Sequence, residues 1–85
     1  MSVSASATLK KIKTELFNKI TEDLIEKGWI KIAEYDGPDA WIDYGRLILE
    51  KDGIQIDFEW DNWDEGEICA DTSTISTLRE EYGIP

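Results

Sequence analysis

The residues of this chain best placed to do chemistry are Asp57, Glu59 and Asp61, which alternate with Phe58 and Trp60. In a strand this spacing puts all three carboxylates on one face, neighbours about 6–7 Å apart at about 3.3 Å per residue. Asp64, Glu65 and Glu67 follow, clustered around Trp63. Carboxylates grouped in this way serve three kinds of chemistry: proton transfer, coordination of a hard cation, and attraction of a basic surface.

Proton transfer by a carboxylate pair needs a cleft, and a chain of 85 residues has a thin core with little room for one. The chain contains no histidine, which removes Ser-His and Cys-His nucleophilic machinery and any Cys/His set for a structural zinc. No Gly-rich phosphate loop occurs. The expectation is a protein that is not an enzyme and carries no cofactor. Coordination fares little better. Setting Gly66 at the sixth position of a calcium loop puts Asp61 first, but Trp63 third and Thr72 twelfth. Two liganding positions fail, so this is not an EF-hand. What remains of that option is a weak divalent-cation site built from Asp61, Asp64 and Glu65.

Charge distribution favours the third chemistry. Between Asp36 and Asp71 the chain has twelve acids and two bases, Arg46 and Lys51, so this segment accounts for the whole formal charge of −10. Such a block repels nucleic acid and anionic lipid and attracts a basic protein surface. A single strand offers a carboxylate only about every 6.7 Å, against a phosphate about every 3.4 Å per nucleic-acid strand. A second acidic row, from Asp64, Glu65, Glu67 and Asp71, would bring the density up. Trp63 is the natural aromatic anchor beside such a face. The expected function is therefore a small acidic protein-interaction module of the inhibitor, immunity or nucleic-acid-mimic type. Its contact residues are Asp57, Glu59, Asp61, Trp63, Asp64 and Glu65. The bland alternative is a soluble domain whose acidity serves solubility.

The elements that must position these residues are read from periodicity. Leu9, Ile12, Leu16, Ile20 and Leu24 step by three or four, widened by Phe17 and Ile25, which predicts an amphipathic helix over 7–27 ended by Gly28. Trp29–Tyr35 alternates with period two and predicts a strand. Asp36-Gly-Pro-Asp39 predicts a turn, and Ala40–Tyr44 is a short strand or the start of a longer one. Arg46–Lys51 and Ile54–Trp60 flank Asp52-Gly53, the strongest hairpin signal of the chain. A two-residue turn there pairs Leu47 with Phe58 and Leu49 with Ile56 beneath the helix. It also pairs Arg46 with Glu59 as an ion pair on the other face. Asn62–Gly66 reads as a loop, Glu67–Ala70 as a fourth short strand, and 73–82 as a second helix.

The predicted class is α+β: an N-terminal helix, a three- to four-stranded antiparallel sheet and a short C-terminal helix, with the helices on one sheet face. Residues 1–6 are expected to form a disordered tail and 7–85 a single domain. The four Trp read as plugs for the thin core, with one or two of them at a binding surface as the alternative, and Cys69, between Ile68 and Ala70, reads as a small core residue. One cysteine permits no intramolecular disulfide, which fits a reducing compartment. No apolar run spans a membrane, and Met1–Ser6 lacks the basic and apolar regions of a secretory signal. A cytoplasmic protein is the expectation.

Overall fold

Asp52 and Gly53 both take positive φ, 53° and 80°, as a two-residue primed turn requires. The computed structural model, which describes residues 6–35, 44–63 and 65–84, builds a sheet outward from that turn. Strand β3 (Tyr44–Lys51) pairs antiparallel with β4 (Ile54–Asp61), Leu47 opposite Phe58 and Leu49 opposite Ile56. This is the register read from the sequence. Strand β5 (Glu65–Asp71) adds beyond β4, and β2 (Ile30–Glu34) adds beyond β3.

The described residues form an α+β fold with two helices and a five-stranded antiparallel sheet in the order β1-β5-β4-β3-β2. The fifth strand corrects the sequence reading. Residues Ser6–Ile12 form β1, an edge strand on β5, and helix α1 covers only Thr14–Glu26. The cause is a β-bulge. Leu9 stands opposite Ile68 and Ile12 opposite Gly66, so β1 uses one residue more than β5 over this stretch, and Lys11 takes a φ of 56°. The extra residue turns a two-residue strand step into a three-residue one. Leu9 and Ile12 therefore sit at helical spacing while lying in a strand, both buried.

Helix α1 then runs without Gly or Pro until Gly28, at a φ of 102°. The last strand and helix are each longer than expected. Glu65 already belongs to β5, and α2 (Thr72–Tyr82) starts directly after Asp71. Asp71 caps α2 by accepting from the Thr74 N–H at 3.1 Å and from its hydroxyl at 2.5 Å. These bonds, the hydroxyl's first, hold the Asp71 carboxyl below the usual value. Gly83 closes the helix in the left-handed conformation. The turn predicted at Asp36–Asp39 and the start of the strand predicted from Ala40 lie outside the described residues.

One core joins the helices to alternate strand residues. Phe17, Ile20 and Leu24 of α1 and Ile75 and Leu78 of α2 cluster with Leu9, Leu47, Leu49, Ile56, Phe58 and Ile68. The strand members all project from the same side of the sheet. At the centre Phe17 meets Phe58 edge to face, ring centroids 5.8 Å apart. Gly66 lies directly beneath the Phe17 ring. Lys27–Glu81 (2.5 Å) and the Tyr82 hydroxyl donating to Asp23 (2.9 Å) tie the two helices together. Tryptophan contributes at the margin: Trp29 and Trp60 are partly buried against the core, and the Trp60 indole donates to the Thr14 hydroxyl at 3.0 Å. Alternation sends Cys69 to the opposite side from Ile68 and Ala70, where it is half-buried, which corrects its reading as a core residue. No described helix is long and apolar enough to cross a membrane.

Candidate functional site

The side of the sheet away from the core is where the strand carboxylates collect. β4 alternates Phe58 and Trp60 toward the core with Asp57, Glu59 and Asp61 away from it. β5 alternates Gly66, Ile68 and Ala70 with Glu65, Glu67, Cys69 and Asp71. The register sets the two acidic rows side by side: Asp61 opposite Glu65, Glu59 opposite Glu67, and Asp57 opposite Cys69. Directly opposed side chains have Cβ atoms about 4.5–5.5 Å apart, and like charges in that position repel. Two such acid pairs lie next to one another here. Among the described residues no helix packs over this side.

Bases stand at both margins of this field among the described residues: Lys10 and Lys11, at the bulge of β1, lie level with Glu67 of β5, and Arg46 enters from β3. Arg46 on β3 grips Asp57 with two bonds, Nη2 to Oδ2 at 2.6 Å and Nε to Oδ1 at 3.1 Å. The Asp57 carboxylate raises the Arg46 pKa further. The ion pair read from the sequence, Arg46 with Glu59, is corrected. The two residues are directly opposite in register, but Arg46 leans along the strand to the diagonal Asp57. Tyr44 leans in the same direction: it stands opposite Asp61 but its hydroxyl donates to Glu59 at 2.6 Å. Diagonal neighbours lie within reach of long and aromatic side chains. The bond to Glu59, with a smaller contribution from burial, pushes the Tyr44 phenol up to about 12.

Asp61 shapes the end of the face. Its Oδ1 accepts from the Trp63 N–H at 2.9 Å, so the carboxylate folds the β4–β5 turn, as Asp side chains commonly do. Trp63 projects from this turn and is 79% exposed. The structure thus brings Asp57, Glu59, Asp61 and Glu65 onto one side of the sheet with Trp63 at its end. Asp64 lies outside the described residues. Glu67 and Tyr44 complete the arrangement and were missing from the contact residues proposed from sequence. The sequence reading places Glu67 in the second acidic row but starts the strand two residues late, at Glu67 and not Glu65, which hides the opposition of Asp61 with Glu65 and Glu59 with Glu67.

The arrangement is open and shallow. It holds no buried unpaired polar group among the described residues, and no three described His, Cys, Asp or Glu side chains converge to hold a metal ion. Its chemistry is that of a field of fixed negative charge with one aromatic at its rim. Comparison with family models, with curated proteins and with solved structures returns no match, so the geometry alone carries the functional reading.

Proposed function

We propose that this protein is a small acidic interaction module that docks the carboxylate side of its sheet onto a basic protein surface. The observation that carries this reading is the direct opposition of Glu59 with Glu67 and Asp61 with Glu65. Like charges placed opposite one another cost stability in the free protein, and a cationic partner would relieve that cost on binding. At Glu59/Glu67 and Asp61/Glu65 the rows stand in register, so they present two carboxylates about every 6.7 Å of strand direction, which matches the charge density of one nucleic-acid strand, with a phosphate about every 3.4 Å, but not its spacing. A surface that binds nucleic-acid backbone is therefore a fitting target, which is the inhibitor or mimic type of module. Trp63, exposed at the rim, supplies the apolar contact that charge alone does not.

The test is capture from a lysate of the source cell, with wild type and Glu59→Gln/Asp61→Asn in parallel, at low and at high salt. A basic protein should be retained by wild type at low salt, be lost as screening rises, and be retained less by the double variant. With the captured protein in hand, the double variant should associate more slowly and with a flatter salt dependence, while Trp63→Ala should dissociate faster. Equal retention by wild type and double variant would leave acidity as a device for solubility.

A further inference from the structure

Four of the six large apolar side chains left exposed among the described residues gather at one place, Ile54 and Trp63 being the other two. Ile30 is 66% exposed, Ile32 46% and Tyr35 38%, all on or beside the edge strand β2, and Ile25 of α1 is 48% exposed. Ile25 borders the same hollow as Lys31, Glu34 and Leu47, which puts it next to that edge. Every residue of β2 is exposed. The other edge of the sheet is built differently: on β1, Leu9 and Ile12 are buried, and the exposed positions include Lys10 and Lys11. Lysine on an edge discourages pairing with another chain. β2 carries one lysine, Lys31, beside a bulge, but there the charge is balanced by Glu34 on the same face.

We propose that β2 is a homodimer interface, two copies pairing antiparallel edge to edge into one continuous sheet. The sequence of this edge is complementary to itself. When Lys31 stands opposite Glu34 of the second copy, Ile30 stands opposite its Tyr35 and Ile32 opposite its Ala33. The two-fold axis repeats each contact. The faces agree as well. Lys31 is opposite Leu49 and Glu34 opposite Leu47, so both charges lie on the helix side. Ile30, opposite Glu50, lies on the other side, as does Tyr35, which follows Glu34. Sliding the register by one residue in either direction removes both ion pairs. Within one copy Lys31 already reaches Glu34 at 2.8 Å, so dimerisation exchanges that contact for its counterpart between copies. It adds backbone hydrogen bonds and covers the isoleucines. The charge of the edge also selects a second copy. Lys31 and Glu34 cancel, so two chains of net charge −10 can approach here with the acidic rows of β4 and β5 held away from the contact. This inference does not depend on the acidic face having a partner.

Sedimentation velocity over a range of protein concentration tests it. Wild type should shift from 9.7 kDa to twice that mass as concentration rises. Lys31→Glu and Glu34→Lys should each remain monomeric alone, because each sets two like-charge pairs across the axis, and should form a heterodimer when mixed. No rearrangement within one chain produces that last result. Circular dichroism confirms that the variants fold, and Ile30→Arg, at a well-exposed position, reads the same interface should a charge variant not fold. Glu59→Gln/Asp61→Asn should dimerise as wild type does. A wild type that stays at 9.7 kDa at millimolar concentration, or a mixture that stays monomeric, overturns the proposal.

Discussion

Gly66 is where the acidic run and the core meet. Its neighbours Glu65 and Glu67 point away from the helices, while a Cβ at Gly66 would collide with Cδ2 of Phe17. Phe17 cannot move far, since it is held edge to face on Phe58 in the centre of the core. Gly66→Ala should therefore destabilise by about 1–3 kcal/mol, as overpacking of a filled core does. Urea denaturation checks it: the midpoint should fall at unchanged slope, and an unmoved midpoint would mean that Phe17 repacks freely. In the sequence this glycine reads only as part of a loop, because nothing in a single chain shows which ring will lie over it. The core partners of Phe58 were legible, since Asp52-Gly53 fixes a register and the register fixes the faces. The true partner of Arg46 was not, because register gives the residue opposite and the lean of a long side chain chooses the diagonal one.

At the scale of elements, β3, β4 and α2 follow from local signals, and β1 does not. A bulge converts strand spacing into helical spacing, so the pattern Leu9–Ile12 is ambiguous until β5 is present to pair with. Glu65 shows a related difficulty, with a φ of 62° at the first position of β5, where residue type suggests a loop. Two bonds between elements carry a pH signature. Tyr44 donates to Glu59 from β3 to β4, and Tyr82 donates to Asp23 from α2 to α1. Both phenols are raised above the ordinary tyrosine value, Tyr44 to about 12 by its bond to Glu59, Tyr82 chiefly by burial. A raised folded-state value means that the stabilisation is complete below the unfolded value near 10 and is lost as pH climbs past it toward 12. Ultraviolet titration of the folded protein should show two phenols ionising late, and one in Tyr44→Phe, which should also lose less stability between neutral and alkaline pH. Tyrosines that all ionise near the ordinary value in the folded protein would mean that neither bond persists in solution.

At the scale of the whole molecule, the described residues divide the surface by charge: carboxylates on the uncovered side of β4 and β5, lysines along β1, and at β2 exposed apolar side chains beside a balanced Lys31–Glu34 pair. Composition showed the first of these as a block of acids, but only the strand order separates it from the other two. That order also has a consequence in time. β3 and β4 are joined by two residues, whereas β1 pairs with β5 from the far end of the chain, Ser6 with Asp71 and Leu9 with Ile68. Closing so long a loop is entropically costly until the rest of the sheet is in place to receive the strand. β1 should therefore join last. Gly53→Ala in the hairpin turn should slow folding, while Leu9→Ala should mainly speed unfolding, as chevron plots would record. A Leu9→Ala variant that folds as slowly as it is destabilised would place β1 in the nucleus instead. With β1 joining last, β5 passes through a stage in which its outer edge, with Ile68 and Ala70, has no strand beside it. The nascent sheet is then open along both edges at once, and the acidic residues alternating along β5 are what keep that transient edge from pairing with another chain.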